Sequence, residues 1–214
     1  MVLGLTATIA LERLAHDSLP STWVLYTTYR FNWTEFEVGM SLAAVGIMYV
    51  VVSGGLTGFL VGRWGERKAL RIGLIISATE FLLYGLASEG WMFYGIIVVG
   101  SVGGIAGPAM QALITKMIPV TEQGAVQGAL SSIRGMTAIV GPLIATNLFG
   151  YFTSEAAPVQ VPGAAFLASA VLVAVGAALA IRSLRRTLAM ESVLATAALA
   201  PSKAAAKMSA PPAH

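Results

Sequence analysis

The sequence predicts an all-α membrane protein with six transmembrane helices. Of its 214 residues 57% are hydrophobic and only 11% are charged, whereas a soluble domain carries roughly a quarter charged residues. Apolar stretches of about twenty residues recur, and each is long enough to cross the hydrocarbon core as a helix. A strand barrel would alternate apolar and polar residues, and this chain does not. Backbone amides in lipid must be satisfied within their own segment, so the stretches are expected to be helical.

The six predicted spans follow one another with short connections. Thr34-Glu35-Phe36-Glu37 opens the second span as a capping box. The fourth span stops before Pro119, and Thr121 is the expected N-cap of the fifth. The predicted spans cover about residues 3–29, 35–61, 69–87, 91–117, 123–149 and 163–184, which divides the chain into a transmembrane domain (1–186) and an Ala/Pro-rich cytoplasmic tail (187–214).

Charge predicts the orientation of the chain. Four bases lie in the ten-residue bridge 62–71 between the second and third spans, whereas the connections on the opposite side hold a single base, Arg30. Positively charged connections stay in the cytoplasm. We therefore expect a multi-pass protein of the inner (cytoplasmic) membrane with both termini in the cytoplasm.

Several function classes are disfavoured. The chain has no cysteine and two histidines, which cannot build a usual zinc site, so neither a metal nor a cofactor is expected. No phosphate loop and no nucleophile–base spacing is present, which argues against an enzyme. A net charge of +3, scattered along the chain, does not predict nucleic-acid binding.

Ionisable residues inside the spans are the first functional candidates, because a charge at the bilayer centre costs roughly 2.5–3.5 kcal/mol on insertion scales. In the first span, helical spacing stacks Glu12 on His16 and Arg13 on Asp17. Either these are internal pairs that offset the cost, or Glu12 or Asp17 carries a proton beside His16, which titrates near neutral pH.

Glu80 has no basic neighbour within the third span. A carboxyl group in a low dielectric takes up a proton readily, so Glu80 is a predicted proton-coupling residue. Arg134 of the fifth span is either its ion-pair partner or a substrate contact. Gln111 and Asn147 are polar and deep; they are cavity candidates, although such residues more often form interhelical hydrogen bonds.

Aromatic residues gather towards the outer end of the first span. Trp23, Tyr26 and Tyr29 recur at helical spacing, close to Trp33. They form either a surface on which a substrate stacks, with Trp23 as the cavity candidate, or anchors at the membrane interface, which is rich in Trp and Tyr.

Small residues and prolines mark predicted packing faces and hinges. The second span has a glycine stripe and the fourth span has another, and small residues let membrane helices approach closely. Gly107-Pro108 and Gly141-Pro142 are hinge candidates, since proline removes a backbone hydrogen bond and kinks a helix. The stripes consist of Gly54, Gly58 and Gly62, and of Gly100, Gly103, Gly104 and Gly107.

The bridge and its flanks read Gly58-Phe59-Leu60-Val61-Gly62-Arg63-Trp64-Gly65-Glu66-Arg67-Lys68-Ala69-Leu70. This segment resembles the signature loop of the major facilitator superfamily, with Gly62 where that family has an aspartate. The stretches Glu122-Gln123-Gly124 and Ile139-Val140-Gly141-Pro142-Leu143 point the same way. From about residue 20 to 185 the chain resembles the C-terminal half of tetracycline-type and other multidrug efflux carriers.

The resemblance implies a proton-coupled antiporter that exports small amphipathic molecules through a cavity between two six-helix halves. This chain would be one half, built from two inverted three-helix repeats. It would need a missing N-terminal half or a second chain, and we expect it to be a fragment of a longer product. The alternative is a half-length or degenerate membrane subunit that binds a partner without transporting.

The resemblance also assigns a gating role to the bridge, where arginines would hold one gate conformation. The alternative is that these bases only set orientation. The gating residues would be Gly58, Arg63, Gly65, Arg67 and Lys68.

The chain departs from the tetracycline carriers at two positions. Ser77 stands where those carriers are expected to hold an acidic residue, and Tyr49 where they are expected to hold a histidine. These differences argue against tetracycline itself as the substrate. Proton coupling then depends on Glu80, one helical turn from Ser77, or on the first-span cluster.

We predict that reporters fused to the two ends of the chain are both cytoplasmic. The asymmetry of basic residues is the physical reason. Alkaline phosphatase fusions should be inactive and fluorescent-protein fusions bright at both ends. Opposite results at the two ends would contradict the six-span arrangement.

Overall fold

The structure is a computed structural model that describes residues 2–185, and these residues are helical almost throughout, with no strand among them. Three irregular turns interrupt the helices: a π-helical turn, Val52–Leu56, and two 3₁₀ turns, Ser101–Ile105 and Val120–Glu122. The tail predicted at 187–214 lies outside the described residues. The helices are α1 (Val2–Asp17), α2 (Leu19–Phe31), α3 (Glu35–Val51), α4 (Thr57–Trp64), α5 (Glu66–Leu86), α6 (Gly90–Gly100), α7 (Ala106–Met117), α8 (Gln123–Thr153) and α9 (Ala164–Arg185).

Five helical segments are long and apolar enough to cross a membrane, in agreement with the second to sixth predicted spans. The first predicted span is divided instead: α1 has 16 residues, α2 has 13, and Ser18 separates them. Pro20 explains the break, because it lacks the N–H that would bond to the carbonyl of His16 and its ring crowds that carbonyl. The five segments are Glu35–Trp64, Glu66–Leu86, Gly90–Met117, Val120–Thr153 and Ala164–Arg185.

The helix ends follow local chemistry at most positions. The predicted capping box is confirmed: the backbone N–H of Glu37 donates to Thr34 Oγ1 (3.4 Å), and Thr34 N–H donates to Glu37 Oε2 (2.8 Å). Gly65 separates α4 from α5 with φ of +76°, a conformation that glycine adopts without steric cost. Thr121 is not the N-cap of α8 as predicted, because it lies inside a 3₁₀ turn and Glu122 precedes the helix.

The bundle is assembled around α1 and α5. Helix α1 packs against α7 and α8, and α5 packs against α6 and α7. Helix α9 lies along α1, where Thr8 Oγ1 donates to the carbonyl of Gly176 (3.0 Å) and the hydroxyls of Ser18 and Ser169 lie 3.2 Å apart. These hydrogen bonds satisfy polar groups that would otherwise be costly in an apolar interior.

A cluster of aromatic rings joins α2, α5, α6 and α9. Trp23 and Tyr26 are only 3% and 1% exposed, which argues against the alternative that these two residues are interfacial anchors. The Trp23 indole N–H donates to Ser41 Oγ (3.0 Å), and the Tyr26 hydroxyl donates to the carbonyl of Ala87 (3.2 Å). Edge-to-face packing fills the space between these rings. The cluster consists of Trp23, Tyr26, Phe31, Trp33, Tyr84, Phe93 and Phe166.

The two glycine stripes have different surroundings. In the fourth span, a methyl group on Gly103 would lie 3.1 Å from the backbone nitrogen of Ser77, so this glycine serves close helix packing as predicted. In the second span, Gly54, Gly58 and Gly62 have no atom of another described element within 4 Å of that position. The described residues therefore provide no packing partner for this stripe, and its packing role stays a prediction. Only 11% of the most apolar 18-residue stretch of Glu35–Trp64 is buried.

We predict that Gly163→Ala destabilises the bundle by about 1–3 kcal/mol, the usual cost of overpacking. A methyl group there would lie 2.8 Å from the carbonyl carbon of Gly85, and backbone cannot move aside as a side chain can. Gly95→Ala is the matched control, since it meets nothing within 4 Å, and it should be neutral or stabilising by up to about 1 kcal/mol. Unfolding in mixed detergent micelles measures both, and equal effects would contradict the packing argument.

Candidate functional site

A cavity of about 620 Å³ opens between the helices, lined by residues of α1, α2, α3, α5, α6, α7 and α8. Its size is within the range of small-molecule sites, which are mostly apolar with a few polar groups. The apolar part includes Pro20, Trp23, Leu42, Val45, Met48 and Tyr49, and the polar part includes Glu12, Arg13, His16, Glu80, Gln111 and Arg134.

Two successive turns of α1 present a charged group to this cavity. Glu12 Oε1 lies 3.5 Å from His16 Nδ1, which confirms the predicted stacking, and Glu12 Oε2 lies 3.9 Å from Arg13 Nε. The predicted Arg13–Asp17 pair is wrong, because the Arg13 guanidinium turns to Glu12 instead. The His16 ring also packs edge-on against Phe81 of α5, with ring centres 5.1 Å apart. The carboxyl group of Glu12 therefore has two basic neighbours, Arg13 and His16.

Asp17 lies on a different face of α1, at the contact with α8. Its Oδ2 accepts a hydrogen bond from Thr137 Oγ1 (2.7 Å). Gly141 of α8 permits this close approach, since a methyl group there would lie 3.0 Å from the carbonyl oxygen of Leu14. Asp17 is not among the residues that line the cavity.

Glu80 reaches from α5 to the beginning of the 3₁₀ turn of the fourth span. Its carboxyl group lies directly against Gly100, so closely that a methyl group on Gly100 would be 2.6 Å from Glu80 Oε1. Its polar neighbours are the Tyr84 hydroxyl and the His16 imidazole. Within residues 2–185, no ion pair joins Glu80 to Arg134, although both line the cavity.

Ser77, one turn before Glu80, has a very different environment. It is 2% exposed and packs against the backbone of Gly103. Its hydroxyl is the one buried side-chain polar atom for which the described residues provide no hydrogen-bond partner. The position at which the carriers are expected to hold an acid is thus enclosed in a helix contact, whereas Glu80 opens to the cavity.

The remaining cavity candidates divide into two groups. Trp23, Gln111 and Arg134 line the cavity. Asn147 does not: it is exposed on α8, and its Nδ2 donates to the carbonyl of Leu143 one turn earlier (2.7 Å). Its polar group is satisfied within its own helix.

The hinge candidates also differ from each other. Gly107 and Pro108 line the cavity directly after the 3₁₀ turn. Gly141 and Pro142 lie inside α8, a helix of 31 residues that is not interrupted at these positions. Gly141 serves the contact with α1, and a hinge function for either pair stays a prediction.

The bridge between α4 and α5 is mostly exposed. Gly58, Arg63 and Lys68 are open to the surroundings, and the carbonyl of Arg67 accepts a hydrogen bond from Arg71 Nε (3.3 Å). Sequence reasoning missed one contact here, an ion pair between Glu66 at the start of α5 and Lys116 at the end of α7. These residues are fifty positions apart, and no local pattern joins them.

Comparison with known proteins gives consistent results. The family model of the Major Facilitator Superfamily matches residues 5–210. The chain is similar to the tetracycline resistance protein, class G, of Vibrio anguillarum (39% identity over 59% of this chain and 32% of that protein). It is also similar to the class B protein of Escherichia coli (34% over 62% and 33%) and to hippocampus abundant transcript 1 protein of Homo sapiens (26% over 76% and 33%).

The aligned part of the chain spans about a third of the length of these relatives. The family match, by contrast, extends over almost the whole chain. Proteins of this family are transporters, which confirms the prediction that the chain is not an enzyme. The chain is a multi-pass membrane protein and belongs to the major facilitator superfamily.

Proposed function

We propose that this chain is the proton-handling half of a carrier that exports small amphipathic organic molecules in exchange for protons. The observation that carries the proposal is the position of Glu80: its carboxyl group opens to the same cavity as the Glu12–His16 pair, beside an apolar and aromatic wall. Several relatives are tetracycline resistance proteins, which supports a drug-like substrate.

Glu80 is a better proton carrier than the other two carboxylates. Glu12 lies within 4 Å of two bases, Arg13 and His16, so a change in its charge would disturb these contacts. Asp17 accepts a hydrogen bond at the contact between two helices, away from the cavity. Glu80 has a phenol and an imidazole as its polar neighbours, so a proton arriving from the cavity changes its charge without breaking an ion pair to a lysine or arginine of residues 2–185.

The cavity wall supports an amphipathic substrate. Leu42, Val45 and Met48 provide an apolar surface on α3, and Trp23 and Tyr49 provide aromatic rings. Gln111 and Arg134 stand on α7 and α8 as polar contacts. Such a combination orients a molecule with one apolar and one polar side. Ser77 and Tyr49 replace the acid and the histidine expected in tetracycline carriers, so we propose a substrate other than tetracycline.

The proposed carrier includes a second six-helix half, either in the same gene product or as a second chain. The largely open face of Glu35–Trp64 supports this arrangement, because glycines there lie free of contacts with the described residues and suit close packing of another membrane helix. The assembled carrier would lie in the inner membrane with both ends of this chain in the cytoplasm.

We predict that Glu80→Gln abolishes proton coupling while leaving membrane insertion intact. Glutamine keeps the size of the side chain but cannot release a proton. In proteoliposomes that contain the assembled carrier, a pH gradient should no longer drive substrate accumulation, and substrate should no longer release protons. Exchange of labelled for unlabelled substrate should persist, because it needs no net proton movement.

Asp17→Asn is the matched control for this prediction. It also neutralises a carboxylate of the bundle, but one outside the cavity, so proton-driven accumulation should be retained. Normal proton-driven accumulation by Glu80→Gln would overturn the role proposed for Glu80.

A further inference from the structure

The carboxyl group of Glu80 is at the end of a flexible side chain, yet in the structure it lies at one defined position. That place is the backbone of Gly100, the last residue of α6, which is buried. A methyl group added to Gly100 would overlap the Glu80 side chain, with 2.6 Å to Oε1 and 2.5 Å to Cγ. All three atoms that such a methyl group would meet first belong to Glu80. Glycine at this position therefore provides the space that the carboxyl group occupies.

The other glycines of the same stripe have different neighbours. Gly103 faces the backbone of Ser77 and Gly73, and its role is helix packing. Gly104 meets nothing within 4 Å and lines the cavity. Only at Gly100 does the missing side chain correspond to the space of an ionisable group.

We propose that Gly100 is a positioning residue for proton coupling: by having no side chain, it lets the Glu80 carboxyl group lie against the fourth span, within reach of His16 and Tyr84. This inference rests on the proposed function, since it assigns a supporting residue to the proposed proton carrier. Any larger residue at position 100 would displace the carboxyl group from this place.

The charge environment of Glu80 would then change with its position. The 3₁₀ turn and the adjoining part of α7 contribute no titratable group to the cavity wall. A carboxyl group displaced from Gly100 therefore moves relative to groups on the other walls. These groups are Glu12, Arg13 and His16 on α1, Tyr49 on α3, Tyr84 on α5 and Arg134 on α8.

The test compares Gly100→Ala with Gly95→Ala in the assembled carrier. Infrared difference spectra give the pH at which the Glu80 carboxyl is half protonated, with the band identified by its loss in Glu80→Gln. We expect Gly100→Ala to move this midpoint by about one pH unit, the typical spread that environment imposes on carboxyl groups, and to move the pH profile of proton-driven transport with it. Gly95→Ala, which adds a methyl group to α6 outside the cavity and with nothing within 4 Å, should move neither.

A double variant tests the contact itself. In a Glu80→Gln background, Gly100→Ala should leave the pH profile of any remaining exchange unchanged. An effect of Gly100→Ala on that profile in the absence of the Glu80 carboxyl would overturn the inference.

Poor membrane accumulation of Gly100→Ala also has a defined interpretation. Combining it with Glu80→Ala removes the atoms that the new methyl group meets, so accumulation should recover. If accumulation does not recover, the methyl group clashes with backbone and the inference is wrong.

The infrared titration does not require that the variant transports substrate. Unchanged coupling in Glu80→Gln would therefore refute the proposed function, whereas equal midpoints in Gly100→Ala, Gly95→Ala and the unaltered carrier would refute the positioning role of Gly100.

Discussion

Hydrogen bonding inside an apolar medium is the constraint on which this structure depends, because a polar group that loses water in the bilayer must find a partner in the bundle. Threonine and serine hydroxyls meet it by bonding to carbonyls of the preceding turn, as Thr27 does to Trp23 (2.8 Å). Other hydroxyls bond to carbonyls that are distant in the sequence: Thr8 donates to the carbonyl of Gly176, and Tyr26 donates to that of Ala87. These bonds hold α1, α2, α5 and α9 at defined positions, and the cavity is the space that they leave open.

Charged groups obey the same constraint in two ways. Glu12 and Asp17 both belong to α1, yet Glu12 lies beside two bases and Asp17 accepts a hydroxyl hydrogen bond across the contact with α8. Glu80 instead lies against the backbone of Gly100, with the Tyr84 hydroxyl and the His16 imidazole as its polar neighbours. The two positions differ in their surroundings: Ser77 is buried at the contact with Gly103, whereas Glu80, one turn further on the same face, lines the cavity.

Sequence patterns predicted much of this arrangement. Hydrophobic length and the absence of strand periodicity led to the all-α fold, and the capping box and the Glu12–His16 stack were correct because both depend on spacing within one helix. The predicted pair of Arg13 with Asp17 was wrong, and the alternatives for Trp23 and Tyr26 stayed open, for one reason. Spacing shows which residues share a helix face but not what that face contacts.

The sequence by itself determined that this chain is a helical membrane protein, which sides of its helices carry charge, and to which superfamily its loop motif belongs. These properties follow from composition and from contacts a few residues apart. Only the tertiary structure decided that Glu80 lies against Gly100, that Thr137 bonds to Asp17, and that Asn147 stays outside the cavity. Each depends on how two helices far apart in the chain are rotated and translated relative to each other, and that geometry emerges from the packing of the whole bundle.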